Sequence, residues 1–326
     1  MNASLKGLIF AATDLTNYYL LPPPGMDRIT SIMRTAGLLL LCAGISLAQS
    51  LQGVIDVHAH VDPETIPRSI DAITLARLAQ REGMRAVVFK NHFFPTTGIA
   101  FLVHGEVPGI DVFGAIALNR AVGGINPAAV EQMVELPGRF GRIVWMPTMD
   151  SEFGVRRSSN PNRPFVPIAK NGELLPETKQ VLAIIAREDI ALATGHSSPE
   201  ESLLLIREAS KMGVRRIVVT HPMQGLNMSV EQLKEAAAMG AFLEYCYGGT
   251  LPYAGTSQKT MAVYAQSMKA VGAAHVIMST DLGNAVNPVH TAGMRSYIQA
   301  LLKEGMTQDE IDLMARKNPA FLLGLK

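Results

Sequence analysis

The chain of 326 residues has little cysteine and almost no net charge, and both shortages narrow what it can be. With only Cys42 and Cys246, it cannot build a framework of disulfide bonds. Its 29 Lys and Arg residues nearly balance 28 Asp and Glu residues, so the charge favours neither a nucleic acid nor an anionic membrane surface as a partner. Hydrophobic residues make up 48% and charged residues 17%, which excludes a disordered chain.

Residues 26–48 have the layout of a secretory signal peptide. Two arginines precede an apolar run, and small residues stand at the two positions that a signal peptidase reads. We expect cleavage after Ala48, and we expect residues 1–25 to be an extension upstream of a natural start at Met26. This predicts an exported protein, periplasmic or secreted, that is free of the membrane after cleavage. An uncleaved anchor is the alternative, although the apolar run is shorter than the roughly 20 residues that span a bilayer.

After the signal, short apolar runs rich in β-branched residues alternate with helical patterns. Continuous apolar runs of this kind are typical of parallel strands that are buried on both faces. The eight predicted strands are residues 54–57, 86–89, 112–117, 143–146, 190–193, 217–220, 241–245 and 276–279. This count predicts an α/β fold, a (β/α)8 TIM barrel over residues 49–326, with its active site at the carboxyl ends of the strands. A doubly wound open sheet is the runner-up, but no G-x-G-x-x-G follows the first strand.

Helical patterns fill the intervals between the predicted strands. Ser198 followed by Glu201 is a capping-box signature. The predicted helices are residues 69–82, 199–212, 230–239, 257–270 and 291–303. The polar, proline-rich stretch 150–176 is predicted to be a long loop.

Residues able to do chemistry stand where these strands end. His58 and His60 close the first strand two positions apart, so their imidazoles project to the same face. His196 follows the fifth strand, His221 the sixth and Asp281 the eighth. Each could be an ordinary loop or cap residue, but together at the strand ends they predict a metal site. Histidine and carboxylate ligands suit zinc, iron, nickel or manganese.

This order of residues resembles that of the amidohydrolase superfamily: H-x-H after the first strand, His after the fifth, His after the sixth and Asp after the eighth. The closing segment, residues 318–325, is similar to the terminal helix of these enzymes. The resemblance runs from about Ile55 to Leu325. It implies a distorted barrel around one or two divalent metal ions, most often zinc, and a small-molecule substrate; a homo-oligomer remains open.

By position, the resemblance implies that His58 and His60 bind the more buried metal together with Asp281. His196 and His221 would bind a second metal or assist with a single one. Asp281 would also take the proton from the attacking water and pass it to the leaving group.

One departure from the superfamily pattern concerns a lysine. Two-metal members usually carry a Lys or Glu after the fourth strand, where this chain has Trp145 and Met146; its second strand instead ends with Lys90. A buried lysine has a lowered pKa and becomes nucleophilic, so Lys90 could take up carbon dioxide and bridge two metals. The alternatives are an unmodified Lys90 that pairs with a substrate carboxylate or phosphate, and a surface lysine.

Other candidates are weaker. We expect Asp56 to orient a ligand histidine, and Glu244, at the end of the seventh strand, to bind metal or substrate or to form a salt bridge in the barrel. Possible substrate contacts in loops near the mouth are His92, His104, His290, Arg156, Arg157 and Arg163, with solvated loop residues as the preferred interpretation of the arginines.

The pattern as a whole predicts a hydrolase that uses a metal-activated water on an amide, ester, lactone or related bond. Two alternatives remain open. One is a single-metal decarboxylase or lyase, in which His221 or Lys90 holds the substrate carboxylate. The other is a non-catalytic exported ligand-binding barrel, although such a protein has no need of a general base at Asp281.

Overall fold

Eight short parallel strands form the central sheet, as the sequence predicts. In the computed structural model, which describes residues 49–252 and 258–326, these strands follow one another around the sheet in chain order. They are β1 (Ile55–His60), β2 (Ala86–Lys90), β3 (Asp111–Ala117), β4 (Gly141–Trp145), β7 (Ala191–Ala193), β8 (Ile217–Val219), β9 (Phe242–Cys246) and β10 (Val276–Ser279). The predicted signal peptide, 26–48, and the preceding residues 1–25 lie outside the described residues.

The sheet closes into a barrel where β1 meets the end of β10. The backbone N–H of Asp281 donates to the carbonyl of His58 (2.9 Å), and that of His60 donates to the carbonyl of Leu282 (3.0 Å). Ala59 and Leu282 pair in parallel between these bonds. The fold is therefore the predicted (β/α)8 barrel, and the open sheet is wrong.

Helices surround the barrel, and none of those in the described part of the chain is long and apolar enough to cross a membrane. They are α1 (Ala72–Arg81), α2 (Thr97–Glu106), α3 (Pro127–Glu135), α4 (Glu152–Arg156), α5 (Pro176–Glu188), α6 (Pro199–Lys211), α7 (Val230–Ala238), α8 (Met261–Val271), α9 (His290–Lys303), α10 (Gln308–Asp312) and α11 (Asn318–Leu322). The five predicted helices are α1, α6, α7, α8 and α9. At the start of α6, Ser198 and Glu201 form the predicted capping box.

The predicted long loop over 150–176 is only partly a loop, because it contains α4 and a two-stranded hairpin. The side chain of Ser151 accepts from the backbone N–H of Gly154 and caps α4. The hairpin pairs β5 (Ala169–Lys170) with β6 (Glu173–Leu174). Its two turn residues, Asn171 and Gly172, both have positive φ, as a tight Asn-Gly hairpin turn requires.

The terminal segment closes the barrel at the end opposite the predicted site. Leu322 and Leu323 are buried and pack with inward-facing strand residues such as Ile55 and Ile277. Asn318 donates to two backbone carbonyls next to the start of β10, at 2.8 and 2.7 Å. The segment that resembles the superfamily's terminal helix is thus helical and fills the bottom of the barrel.

Asp56 joins β1 to the end of β10 through its side chain. One carboxylate oxygen accepts from the backbone N–H of Thr280 (3.0 Å), and the other accepts from its hydroxyl (2.5 Å). The first oxygen also accepts from the backbone N–H of His58 (3.2 Å). Burial raises the pKa of Asp56 to about 6, and the bonds from Thr280 oppose that rise. The prediction that Asp56 orients a ligand histidine ring is wrong, because its carboxylate is engaged in closing the barrel.

We expect Thr280→Val to lower the free energy of unfolding by about 1–3 kcal/mol, because it leaves a buried oxygen of Asp56 without its hydroxyl donor. Urea denaturation monitored by circular dichroism measures the change. The matched control is Thr65→Val at an exposed loop position. Equal stability of the two variants would contradict a role for Thr280 in the seam.

Candidate metal centre

Two histidines and one aspartate converge where the barrel closes. Asp281 Oδ1 lies 3.0 Å from Nε2 of His58 and 3.2 Å from Nε2 of His60. Donors bound tetrahedrally to zinc at its usual bond lengths stand about 3.3 Å apart. The spacing of these three donors therefore fits a small divalent cation, and their chemistry fits zinc or a related metal.

The backbone at the strand ends turns two of the predicted site residues into the left-handed region. Asp281 has φ 49° and His221 has φ 26°, conformations that residues other than glycine adopt rarely. At Asp281, the bond from its N–H to the carbonyl of His58 holds this conformation. Such strain persists where the surrounding structure enforces it, and it is common at functional sites.

Glu244 orients His58. Its Oε1 lies 3.0 Å from Nδ1 of His58 and also accepts from the hydroxyl of Ser279 at 2.8 Å. Nδ1 of His58 therefore donates to Glu244, and Nε2 is the ring nitrogen that faces Asp281. Of the options left open by the sequence, Glu244 takes the salt bridge within the barrel, and it plays the orienting role that we predicted for Asp56.

The negative charges at the centre favour a bound cation. Burial raises the pKa of Asp281, but the charge and hydrogen bond of His58 hold that pKa well below its usual range. Burial likewise lowers the pKa of His58, yet the charges of Asp281 and Glu244 raise it to about 9. His58 thus lies between the carboxylates of Asp281 and Glu244, where its positive charge occupies a position that a metal ion can take over.

His196 and His221 lie together on another side of the centre. Their ring centroids are 4.9 Å apart, and the ring of His221 stacks on that of His58 at 6.1 Å. Nδ1 of His221 is buried and has no hydrogen-bond partner in the described chain. Burial lowers the pKa of both histidines, which keeps them neutral and able to bind metal. In the described residues, neither one belongs to a tight group of three potential ligands.

Lys90 is buried against the same centre, so it is not a surface lysine. Its Nζ lies 2.8 Å from Nε2 of His58 and 5.1 Å from the ring centroid of Trp145. Burial lowers the pKa of Lys90, against the opposing charges of Asp281 and Glu244. Trp145 Nε1 is buried without a hydrogen-bond partner among the described residues.

The remaining loop candidates are three histidines and three arginines. His92 lies in the site wall, with its ring 4.7 Å from that of His60 and its Nδ1 2.9 Å from the hydroxyl of Thr148. His290 binds the backbone carbonyl of Leu282 and begins α9, while His104 packs on Phe140.

The three arginines contact neighbouring side chains. Arg163 pairs with Asp150, Arg156 pairs with Glu152, and Arg157 stacks on Phe153.

Two further residues of the site, Glu64 and Arg68, lie in the loop after β1 and were not predicted from the sequence. Glu64 Oε2 lies 3.5 Å from Nδ1 of His60 and accepts from Nε of Arg68 at 2.5 Å. Its other oxygen accepts from the backbone N–H of His92 at 3.0 Å. No pattern in the loop distinguishes these two residues, because their importance arises only when the loop folds over the strand ends.

A cavity of about 590 Å³ opens above the centre, a size that suits a small molecule. Its walls include the residues His60, Lys90, His92, His196, His221 and Asp281, together with Arg68, Phe153 and Arg157. The sequence-predicted site residues thus surround one cavity, except His58, which lies beneath it in the barrel.

Fold and site together describe a (β/α)8 barrel whose strand ends gather histidine and carboxylate side chains suited to a divalent metal. The chain belongs to the family of unknown function DUF6282, whose sequence profile matches residues 53–244. No curated protein matches the chain.

Solved structures share the barrel at low sequence identity. An organophosphorus hydrolase from Deinococcus radiodurans is 16% identical with a TM-score of 0.56, over 86% of this chain and 94% of that one. A mutant PTE-like lactonase from the same organism is 16% identical with a TM-score of 0.57, over 86% and 98%. A structure from the engineering of organophosphate hydrolysis in a weak promiscuous lactonase template is 15% identical with a TM-score of 0.56, over 86% and 98%.

We expect Glu244→Gln to weaken zinc binding by about 10- to 100-fold, because the amide no longer fixes the tautomer and charge of His58. Competition with a chromophoric chelator measures the affinity. Glu106→Gln removes a carboxylate from an exposed position at the end of α2 and serves as the control. If Glu244→Gln binds zinc as tightly as the control, Glu244 does not support the centre.

Proposed function

We propose that this protein is a metal-dependent hydrolase of the amidohydrolase type that cleaves an ester, lactone or related bond of a small molecule. The observation that carries the proposal is the convergence of His58, His60 and Asp281 at the base of the cavity, with donor atoms at 3.0 and 3.2 Å. The names of the structural neighbours, organophosphorus hydrolase and lactonase, support the class of bond.

When bound, a divalent cation supplies Lewis acidity, lowering the pKa of a water and polarising the bond under attack. His58 and His60 would hold the cation with Asp281, and Glu244 fixes the orientation of His58. Asp281 remains partly open to the cavity and is ionised at neutral pH. Its carboxylate accepts the proton of the attacking water and returns it to the leaving group. His196 and His221, kept neutral by burial, hold a second cation or face the substrate.

Zinc is the cation that we propose, with manganese, iron and nickel as alternatives, because two imidazoles and a carboxylate form a typical zinc set. We also propose that residues 26–48 direct export, so that the substrate is a small molecule of the periplasm or medium.

A single-metal decarboxylase or lyase of the same superfamily is the second candidate. The observation that favours it is Trp145 at the end of β4, where two-metal relatives carry a bridging residue. In that case Lys90 or His221 would hold the carboxylate that is lost.

We expect the zinc-loaded protein to hydrolyse members of a panel of aryl esters, lactones and phosphotriesters. We expect Asp281→Asn to lower kcat by about 10²- to 10⁴-fold, because the asparagine amide cannot accept the proton of the attacking water. Metal content is measured on every variant. Asp309→Asn, at an exposed position, is the control. A zinc-loaded protein that hydrolyses nothing in the panel, but releases carbon dioxide from aromatic acids, would replace the hydrolase with the lyase.

We further propose that Lys90 is carbamylated and bridges two metal ions from β2. Burial lowers the pKa of Lys90, which favours the unprotonated amine, the form that reacts with carbon dioxide. The amine lies 2.8 Å from Nε2 of His58, on the side where the cation is held.

We expect elemental mass spectrometry to find two metal ions per chain in the wild type and one or none in Lys90→Met, because the variant lacks the bridging group. Labelled bicarbonate should appear as a carbamate carbon in the wild-type NMR spectrum. Lys170→Met, in the exposed hairpin, is the control. One metal in both wild type and Lys90→Met would make Lys90 a substrate contact.

A further inference from the structure

Arg68 presents a buried guanidinium to the cavity. It lines the cavity wall, and only 9% of its side chain is exposed. Two hydrogen bonds hold the loop that carries Arg68. The backbone N–H of Arg68 donates to a carboxylate oxygen of Asp62 (3.1 Å), and the backbone N–H of Ser69 donates to the carbonyl of Gly283, just after the barrel seam (2.8 Å). The position of Arg68 is therefore set by the barrel.

The guanidinium is only partly satisfied. Nε donates to Glu64, but neither Nη atom has a hydrogen-bond partner in the described part of the chain, and Nη2 is fully buried. Glu64 is also shared with His60 and with the backbone N–H of His92, so it compensates Arg68 incompletely. Buried donors without partners cost free energy, and an oxyanion in the cavity would remove that cost.

We propose that Arg68 binds an oxyanion of the substrate, a carboxylate or a phosphate, next to the bond that is cleaved. The inference rests on the proposed function, and it narrows the substrate class to small anionic esters, lactones or related compounds. Arginine suits this role because the guanidinium fork matches the planar oxygens of such groups and remains charged. Glu64 holds Nε, so the Nη atoms are the donors that remain for an anion.

Arg157 is the competing cation. It also lines the cavity, but it is exposed and stacks on Phe153 at 5.0 Å. A solvated arginine discriminates between anionic and neutral ligands much less than a buried one does. The anion preference should therefore depend on Arg68.

The test is calorimetric titration of the zinc-loaded protein with benzoate, phenyl phosphate and benzamide, which share one ring and differ in the charged group. It is repeated on Arg68→Gln, Arg68→Lys, Arg157→Gln and the control Arg77→Gln, which removes the same charge from the exposed face of α1. Metal content and hydrolysis of the neutral ester phenyl acetate are measured on each protein.

We expect the wild type, Arg77→Gln and Arg157→Gln to bind benzoate or phenyl phosphate at least about tenfold more tightly than benzamide. The acid that binds more tightly, benzoate or phenyl phosphate, indicates whether the substrate oxyanion is a carboxylate or a phosphate. Both Arg68 variants should lose the preference while keeping their zinc. Arg68→Lys retains the charge beside Glu64 but lacks the guanidinium fork. It therefore distinguishes recognition of the anion by the fork from stabilisation of the loop by the charge.

Three results would overturn the inference. The first is equal binding of acid and amide by the wild type. The second is a preference that survives in both Arg68 variants, as a carboxylate bound to the metal would give, or that is lost in Arg157→Gln instead. The third is loss of zinc from both Arg68 variants, which would make Arg68 a support of His60. Anion binding that depends on Arg68 in a protein that hydrolyses no ester would refute the proposed hydrolase alone.

Discussion

The closure of the barrel between β1 and β10 is the constraint on which the rest of the structure depends. One buried carboxylate, that of Asp56, accepts both the backbone N–H and the hydroxyl of Thr280. The two residues that follow Thr280 complete the seam through backbone bonds to His58 and His60. Because the donors of the candidate centre come from the two strands joined here, the bonds that close the barrel also set their spacing. The seam between β1 and β10 therefore determines both the stability of the barrel and the spacing of the candidate metal ligands.

The same seam concentrates negative charge around His58. The carboxylates of Asp281 and Glu244 lie on opposite sides of His58, and burial removes the water that would otherwise solvate them. A protonated His58 balances them at the cost of occupying the lone pair that a metal would use. Metal binding should therefore displace a proton, and the folded protein without metal retains a site that is already formed for a cation.

The sequence predicted those parts of the site that follow from strand periodicity. His58 and His60 alternate along one strand, and His196, His221 and Asp281 follow apolar runs, so their convergence required only parallel strands. Roles set by contacts across the barrel could not be predicted. Asp56 and Glu244 are both buried acids on strands, and only the three-dimensional neighbours decide which one binds Thr280 and which one binds His58. Likewise α2 was missed, because glycine and valine weaken its helical pattern and apolar residues cover most of its surface.

Lys90 reaches the centre from the end of β2, the strand next to β1 in the barrel. Strands β2 and β4 both end at the mouth, and long side chains from either one extend over the barrel axis. Trp145 fills the space at the end of β4, and its ring forms the floor over which the amine of Lys90 lies. Because β4 ends in an indole, the amine beside His58 comes from β2, which pairs with the strand of His58. The contact between Lys90 and His58 depends on where their atoms lie in the barrel, and a pattern written as residue order alone does not predict it.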